Sequence, residues 1–97
     1  MDLITQTGVF RTAHAGKYLQ QLCKHFGHKT EVRHDDTTGE VALRSGPARL
    51  VAGPSDLRIS VSAADTGGLE TARQVIDSHL ARFAFREGFT AMEWQTP

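Results

Sequence analysis

The run from Leu57 to Ala63 constrains this chain more than any other stretch. Leu57, Ile59, Val61 and Ala63 alternate with Arg58, Ser60 and Ser62. Successive strand residues point to opposite faces, so the run is a strand with one apolar face and one polar face. Such a strand belongs to an antiparallel sheet that is wet on one side and covered on the other. The remaining sequence must therefore supply both neighbouring strands and a cover.

It has room for one domain only. The chain is 97 residues long, within the usual range for a single core, and is read as one domain over residues 1–97. That is too short for an eight-stranded α/β barrel of about 250 residues or for a dinucleotide fold built from two halves. Hydrophobic residues make up 39% and charged residues 23%, which excludes a disordered polyelectrolyte.

Strands and helices can be placed around this run. Leu3 to Arg11 mixes apolar and β-branched residues and reads as a strand, with Gly8 marking a bulge or a close backbone approach. Thr12 is the expected cap of a helix from Ala13 to Phe26, and Gly27 its left-handed stop. On that helix Tyr18, Leu19, Leu22, Cys23 and Phe26 share an arc of about 140°, opposite Lys17, Gln20, Gln21 and Lys24. Glu31–Asp35 and Glu40–Arg44 flank Asp36-Thr37-Thr38-Gly39, a hairpin loop. Ser45-Gly46-Pro47 then turns the chain into Ala48–Ala52. A second helix, capped by Asp65 or Thr66, covers Leu69–Arg86 and presents Leu69, Ala72, Val75, Ile76, Leu80 and Phe83 to the sheet. Arg73 and Asp77 form an expected surface pair on it. After Gly88, residues Phe89–Trp94 read as a last strand. The predicted fold is α+β: a two-layer sandwich, β-α-β-β-β-β-α-β, with an antiparallel meander sheet and both helices on one face.

Charge and cysteine content narrow the function classes. Eleven basic residues balance eleven acidic ones, so no net charge draws the chain to nucleic acid or to an anionic membrane. A local basic excess lies between His14 and His34, where Lys17, Lys24, Lys29 and Arg33 face Glu31 alone. One cysteine, Cys23, excludes an internal disulfide and points to a reducing compartment. The first residues, MDLITQTGVF, lack the basic-then-apolar pattern of a secretory signal. No run approaches the roughly 20 apolar residues of a membrane span. The expectation is a cytoplasmic protein, and zero net charge with free sheet edges makes a homodimer plausible.

Two stretches carry a resemblance. Tyr18-Leu19, Leu22-Cys23, His25-Phe26 and His28-Lys29 form one motif, and Ser78-His79-Leu80 with Arg82-Phe83-Ala84-Phe85-Arg86-Glu87 and Trp94 form the other. Together they resemble a small bacterial family, domain of unknown function 2218. The resemblance implies no assigned activity. It does imply an association with siderophore-interacting flavin reductases, and so a place near bacterial iron handling with such a reductase as partner. The chain itself carries no glycine-rich dinucleotide fingerprint and calls for no cofactor.

The residues that could carry chemistry are few. Cys23 and His25 lie about 200° apart on a helix and cannot share an ion. His25 and His28 come nearest to a metal pair, but Gly27 separates them and two imidazoles fall short of a tight site. No metal centre is expected. His79 falls within the apolar face of the second helix. It is either a structural histidine bonded to a strand carbonyl or to Tyr18, or an acid/base or ligand group at the bottom of a helix–sheet pocket. Arg82 and Arg86 follow on the same edge, placed to hold an anion or to pair with Glu87. Tyr18, His25, His28, His79, Arg82 and Arg86 are thus the candidate ligand-binding residues. Two functions fit them: a non-catalytic accessory or binding domain in iron or siderophore handling, and a small cofactor-independent enzyme using His79.

Overall fold

The computed structural model describes residues 3–95. Six strands and two helices follow in the order β1 (Ile4–Arg11), α1 (Ala15–Phe26), β2 (Val32–His34), β3 (Thr38–Leu43), β4 (Gly46–Ala52), β5 (Asp56–Ala63), α2 (Thr66–Ala84) and β6 (Glu93–Trp94). A 3-10 turn over Phe85–Glu87 extends α2. The strands form one antiparallel sheet in the order β2-β3-β4-β5-β1-β6. The α+β meander with two helices on one face is as the sequence predicts.

β5 behaves as its alternation requires. Leu57, Ile59, Val61 and Ala63 are buried and Arg58 is exposed. Ser62 is buried as well, its hydroxyl donating to the Pro47 carbonyl at 2.6 Å. The covered face presses Val41, Leu50, Leu57, Ile59 and Val61 against Leu19, Leu22, Leu69, Ile76 and Leu80 of the helices. The opposite face stays wet. Arg33, Glu40, Arg49, Ser60 and Thr7 stand in one cross-strand row there, alternating in sign and ending in a Thr7–Ser60 hydroxyl bond of 2.8 Å.

A second row, on the covered face, explains two glycines. Gly39, Leu50, Ile59, Gly8 and Trp94 are successive partners across β3, β4, β5, β1 and β6. A Cβ on Gly8 would lie 2.8 Å from the Trp94 ring, and one on Gly39 would lie 2.7 Å from the Cys23 sulfur. The β1–β5 register runs unbroken from Ile4 to Arg11, so Gly8 marks a close approach and not a bulge.

Several local expectations are corrected. Gly27 has φ −61° and ψ −18°, right-handed and not left-handed, because the chain continues through a turn in which Thr30 N–H reaches the Phe26 carbonyl at 2.9 Å. His14, not Thr12, precedes α1, and Thr12 instead accepts from the His14 N–H at 3.0 Å. Asp65 does cap α2, accepting from Gly68 N–H at 2.7 Å. A left-handed glycine does close the second helix: Gly88, φ 73°, after the 3-10 turn. The last strand shrinks to Glu93–Trp94 because Phe89 and Met92 turn into the core. Arg73 and Asp77 do not pair. Arg73 donates to buried Gln6 at 2.9 Å, while Asp77 accepts the Met92 N–H at 3.0 Å and the Trp94 indole N–H at 2.9 Å. Each finds a less exposed partner than the other could be.

No helix of the described residues is long and apolar enough to cross a membrane.

Candidate functional site

Where the end of α1 meets the middle of α2 and the β3–β4 hairpin, the helices leave part of the sheet uncovered. A groove of about 470 Å³ opens there. Its walls are Phe26, Ala42, Leu43, Ala72 and Val75, with Thr30, Ser45 and Thr71, whose hydroxyls donate to the Ala42, Ser62 and Gly67 carbonyls. The charged residues lining it are Lys29 and Arg44, both exposed. Among the described residues neither joins an ion pair; the pair present is Arg58–Asp56, at 3.3 Å, on the far face. An apolar cleft with a few convergent polar groups is the usual form of a small-molecule site.

Behind the groove stands an imidazole pair. The rings of His25 on α1 and His79 on α2 are 4.9 Å apart, and both touch Phe26, at 5.8 and 5.0 Å. His79 is half-buried in the seam between the helices and not at the bottom of a helix–sheet pocket. Its partner is neither a strand carbonyl nor Tyr18. Its Nδ1 donates to the Val75 carbonyl at 2.6 Å, one turn back on its own helix, which leaves Nε2 as the acceptor. The Nε2 of His25 is buried and without a hydrogen-bond partner. Burial lowers its pKa first, and the fields of His79, Lys29, Arg82 and His28 lower it further.

The other candidates disperse. His28 is exposed beyond the end of α1. Arg82 contributes its charge to the imidazole seam, whereas Arg86 packs over the exposed Phe85 ring at 5.7 Å and leaves the site. Tyr18 lies at the opposite end of α1, near Phe10 and bonded to Glu87. Glu87 therefore serves Tyr18 and Thr12, not the arginines. Cys23 is buried, and burial pushes its thiol up to about 11. No group of three metal-ligating side chains occurs among the described residues.

Of the six residues singled out from sequence, His25, His79 and Arg82 come together. Lys29, Arg44, Phe26 and Val75 complete the site. Lys29 belongs to the basic excess legible before His34, but nothing local ties Arg44 to it.

The family described as "Uncharacterized protein conserved in bacteria", domain of unknown function 2218, matches residues 7–95. The chain belongs to that family. The chain is also similar to a solved structure, the NMR structure of PA4090 from Pseudomonas aeruginosa, at 31% identity over 94% of each chain and with a TM-score of 0.76. No curated protein matches the chain. In this member of the domain of unknown function 2218 family, the groove joins an apolar wall to the cations Lys29 and Arg44, and the seam beside it holds the unpartnered Nε2 of His25.

Proposed function

We propose that the domain is a non-catalytic binding module whose ligand, a small molecule with an apolar body, lies in the groove between α1, α2 and the β3–β4 hairpin. The observation that carries this reading is the groove itself: about 470 Å³, walled by Phe26, Leu43, Ala72 and Val75, on a domain of this size. Thr71 sits exposed on its rim, so Thr71→Trp should fill it without disturbing the core. The test is NMR chemical-shift mapping with an anilinonaphthalene dye. Shifts gathered at Phe26, Leu43 and Val75, and abolished in Thr71→Trp, are expected. Shifts elsewhere, or undiminished binding by the filled variant, would overturn the reading.

The family resemblance adds a context for the module. The resemblance read from the sequence implies an association with siderophore-interacting reductases, so a ferric siderophore and such a reductase are the next ligand and the protein partner to offer.

A second reading keeps His79 as an acid or base. In its favour, the Val75 carbonyl holds one tautomer, as an acid/base histidine needs. Against it, the ring's neighbour across the seam is another imidazole 4.9 Å away, and among the described residues no carboxylate bonds to it.

A further inference from the structure

We propose that the groove's ligand carries an anionic head, seated by Lys29 and Arg44, and that seating it draws one proton from solvent onto His25, which faces His79 beside Phe26. This rests on the groove reading above and adds a ligand class and a pH control to it.

The argument begins with the rim. Among the described residues, Lys29 and Arg44 line the groove without ion-pair partners, and no acidic residue lines it with them. An anion entering beside an apolar wall meets two cations and no repulsion.

The imidazoles are connected to this rim through two groove residues. Phe26 lines the groove and its ring packs against both imidazoles, and Val75, on the groove wall, holds His79 through its carbonyl. His25 meets His79, Arg82 and Phe83 across the seam from α2, and Lys29 and His28 beyond the end of its own helix. The charges acting on it are therefore basic, and its buried Nε2 has no partner. In the free protein that setting holds the ring neutral.

A bound anion changes the balance. It offsets Lys29, the cation that lines the groove and acts on His25, and adds a negative field of its own. Both effects favour the imidazolium. By linkage, a group whose proton affinity rises on binding makes the ligand bind more tightly as pH falls through the imidazole range.

Anilinonaphthalene sulfonate, whose sulfonate stays ionised throughout, and its uncharged anilinonaphthalene parent provide the test. The sulfonate is expected to bind up to about tenfold more tightly at about pH 5.5 than at about pH 8, the change that one pKa unit allows. Calorimetry in buffers of different ionisation enthalpy should show net proton uptake. The uncharged parent should bind equally at both pH values, which separates this effect from any loosening of the fold. His25→Gln should flatten the sulfonate's pH dependence, and Lys29→Gln should weaken its binding throughout, with amide spectra confirming that each is folded. Equal affinity of the sulfonate at both pH values in the wild type, with no proton uptake, would overturn the proposal and leave the groove standing. Failure of both dyes to enter the groove would remove the groove reading and this one with it.

Discussion

The Tyr18 hydroxyl donates to the Glu87 carboxylate, joining the first turns of α1 to the 3-10 turn that ends α2. The other carboxylate oxygen accepts from Thr12 at 2.8 Å. One acidic side chain thus pins the start of one helix to the end of the other.

That contact predicts an unusual tyrosine. The Glu87 hydrogen bond, then burial and the carboxylate's charge, push the phenol up to about 12. Tyr18 is the sole tyrosine, so an ultraviolet pH titration reports on it alone. Glu87→Gln should return the midpoint toward 10, the ordinary value. A wild-type midpoint already near that value would show that the contact does not form in solution.

Glu87 itself should leave an acid signature. Its bonds from Tyr18 and Thr12 hold its pKa below the usual carboxylate value. The folded state then binds fewer protons than the unfolded one, so this contribution is complete above the ordinary carboxylate pKa and is lost as pH falls through the lowered one. Denaturant melts of Glu87→Gln should depend less steeply on pH in that acid range than those of the wild type. Parallel curves would refute the assignment.

His25 should destabilise the free protein in a different window. Its pKa is lowered by burial and by basic neighbours, so below the ordinary imidazole value the unfolded chain takes up a proton that the folded chain resists. Stability should therefore fall with pH from about 7 to about 5.5. His25→Phe should remove part of that slope. An unchanged slope would mean that the ring is solvated.

The C-terminal strand depends on a glycine and an aspartate. Gly8→Ala would drive a methyl to 2.8 Å from the Trp94 ring, an overpacking cost of about 1–3 kcal/mol. Asp77→Ala would strip the partners from the Met92 N–H and the Trp94 indole, costing about 1–3 kcal/mol if those groups stay buried. Each should red-shift the fluorescence of Trp94, the chain's one tryptophan. Wild-type emission in both variants would place the ring elsewhere.

Cys23 should be chemically silent. It is 1% exposed, and burial alone pushes its thiol up to about 11. A thiol reagent at neutral pH should modify it only at the rate of unfolding, and denaturant should accelerate the reaction in proportion. Rapid modification of the folded protein would contradict this burial.

Much of the fold was legible because its signals are local. The alternation of β5 and the apolar arc of α1 each follow from a backbone repeat of two or 3.6 residues, which any short window of sequence displays. The Asp65 cap is equally local, since donor and acceptor sit three positions apart. Local pattern also sufficed to read Cys23 as an inert core residue.

The sites depended on packing. His79 lies on an apolar stripe from any local view, but only the rotation of α2 against α1 brings its ring to His25 and makes Val75 its partner. Arg73 and Asp77, correctly spaced for each other along α2, are drawn off by Gln6 and by the C-terminal segment. Glu87 reaches Tyr18 across 69 positions, and Arg44 joins Lys29 at a groove that exists only because two helices leave part of the sheet uncovered. By itself, the sequence determined which faces are apolar and where the chain turns, since backbone periodicity and side-chain solvation act within a few residues. The tertiary structure decided which polar groups meet, because that depends on how whole elements are rotated and stacked.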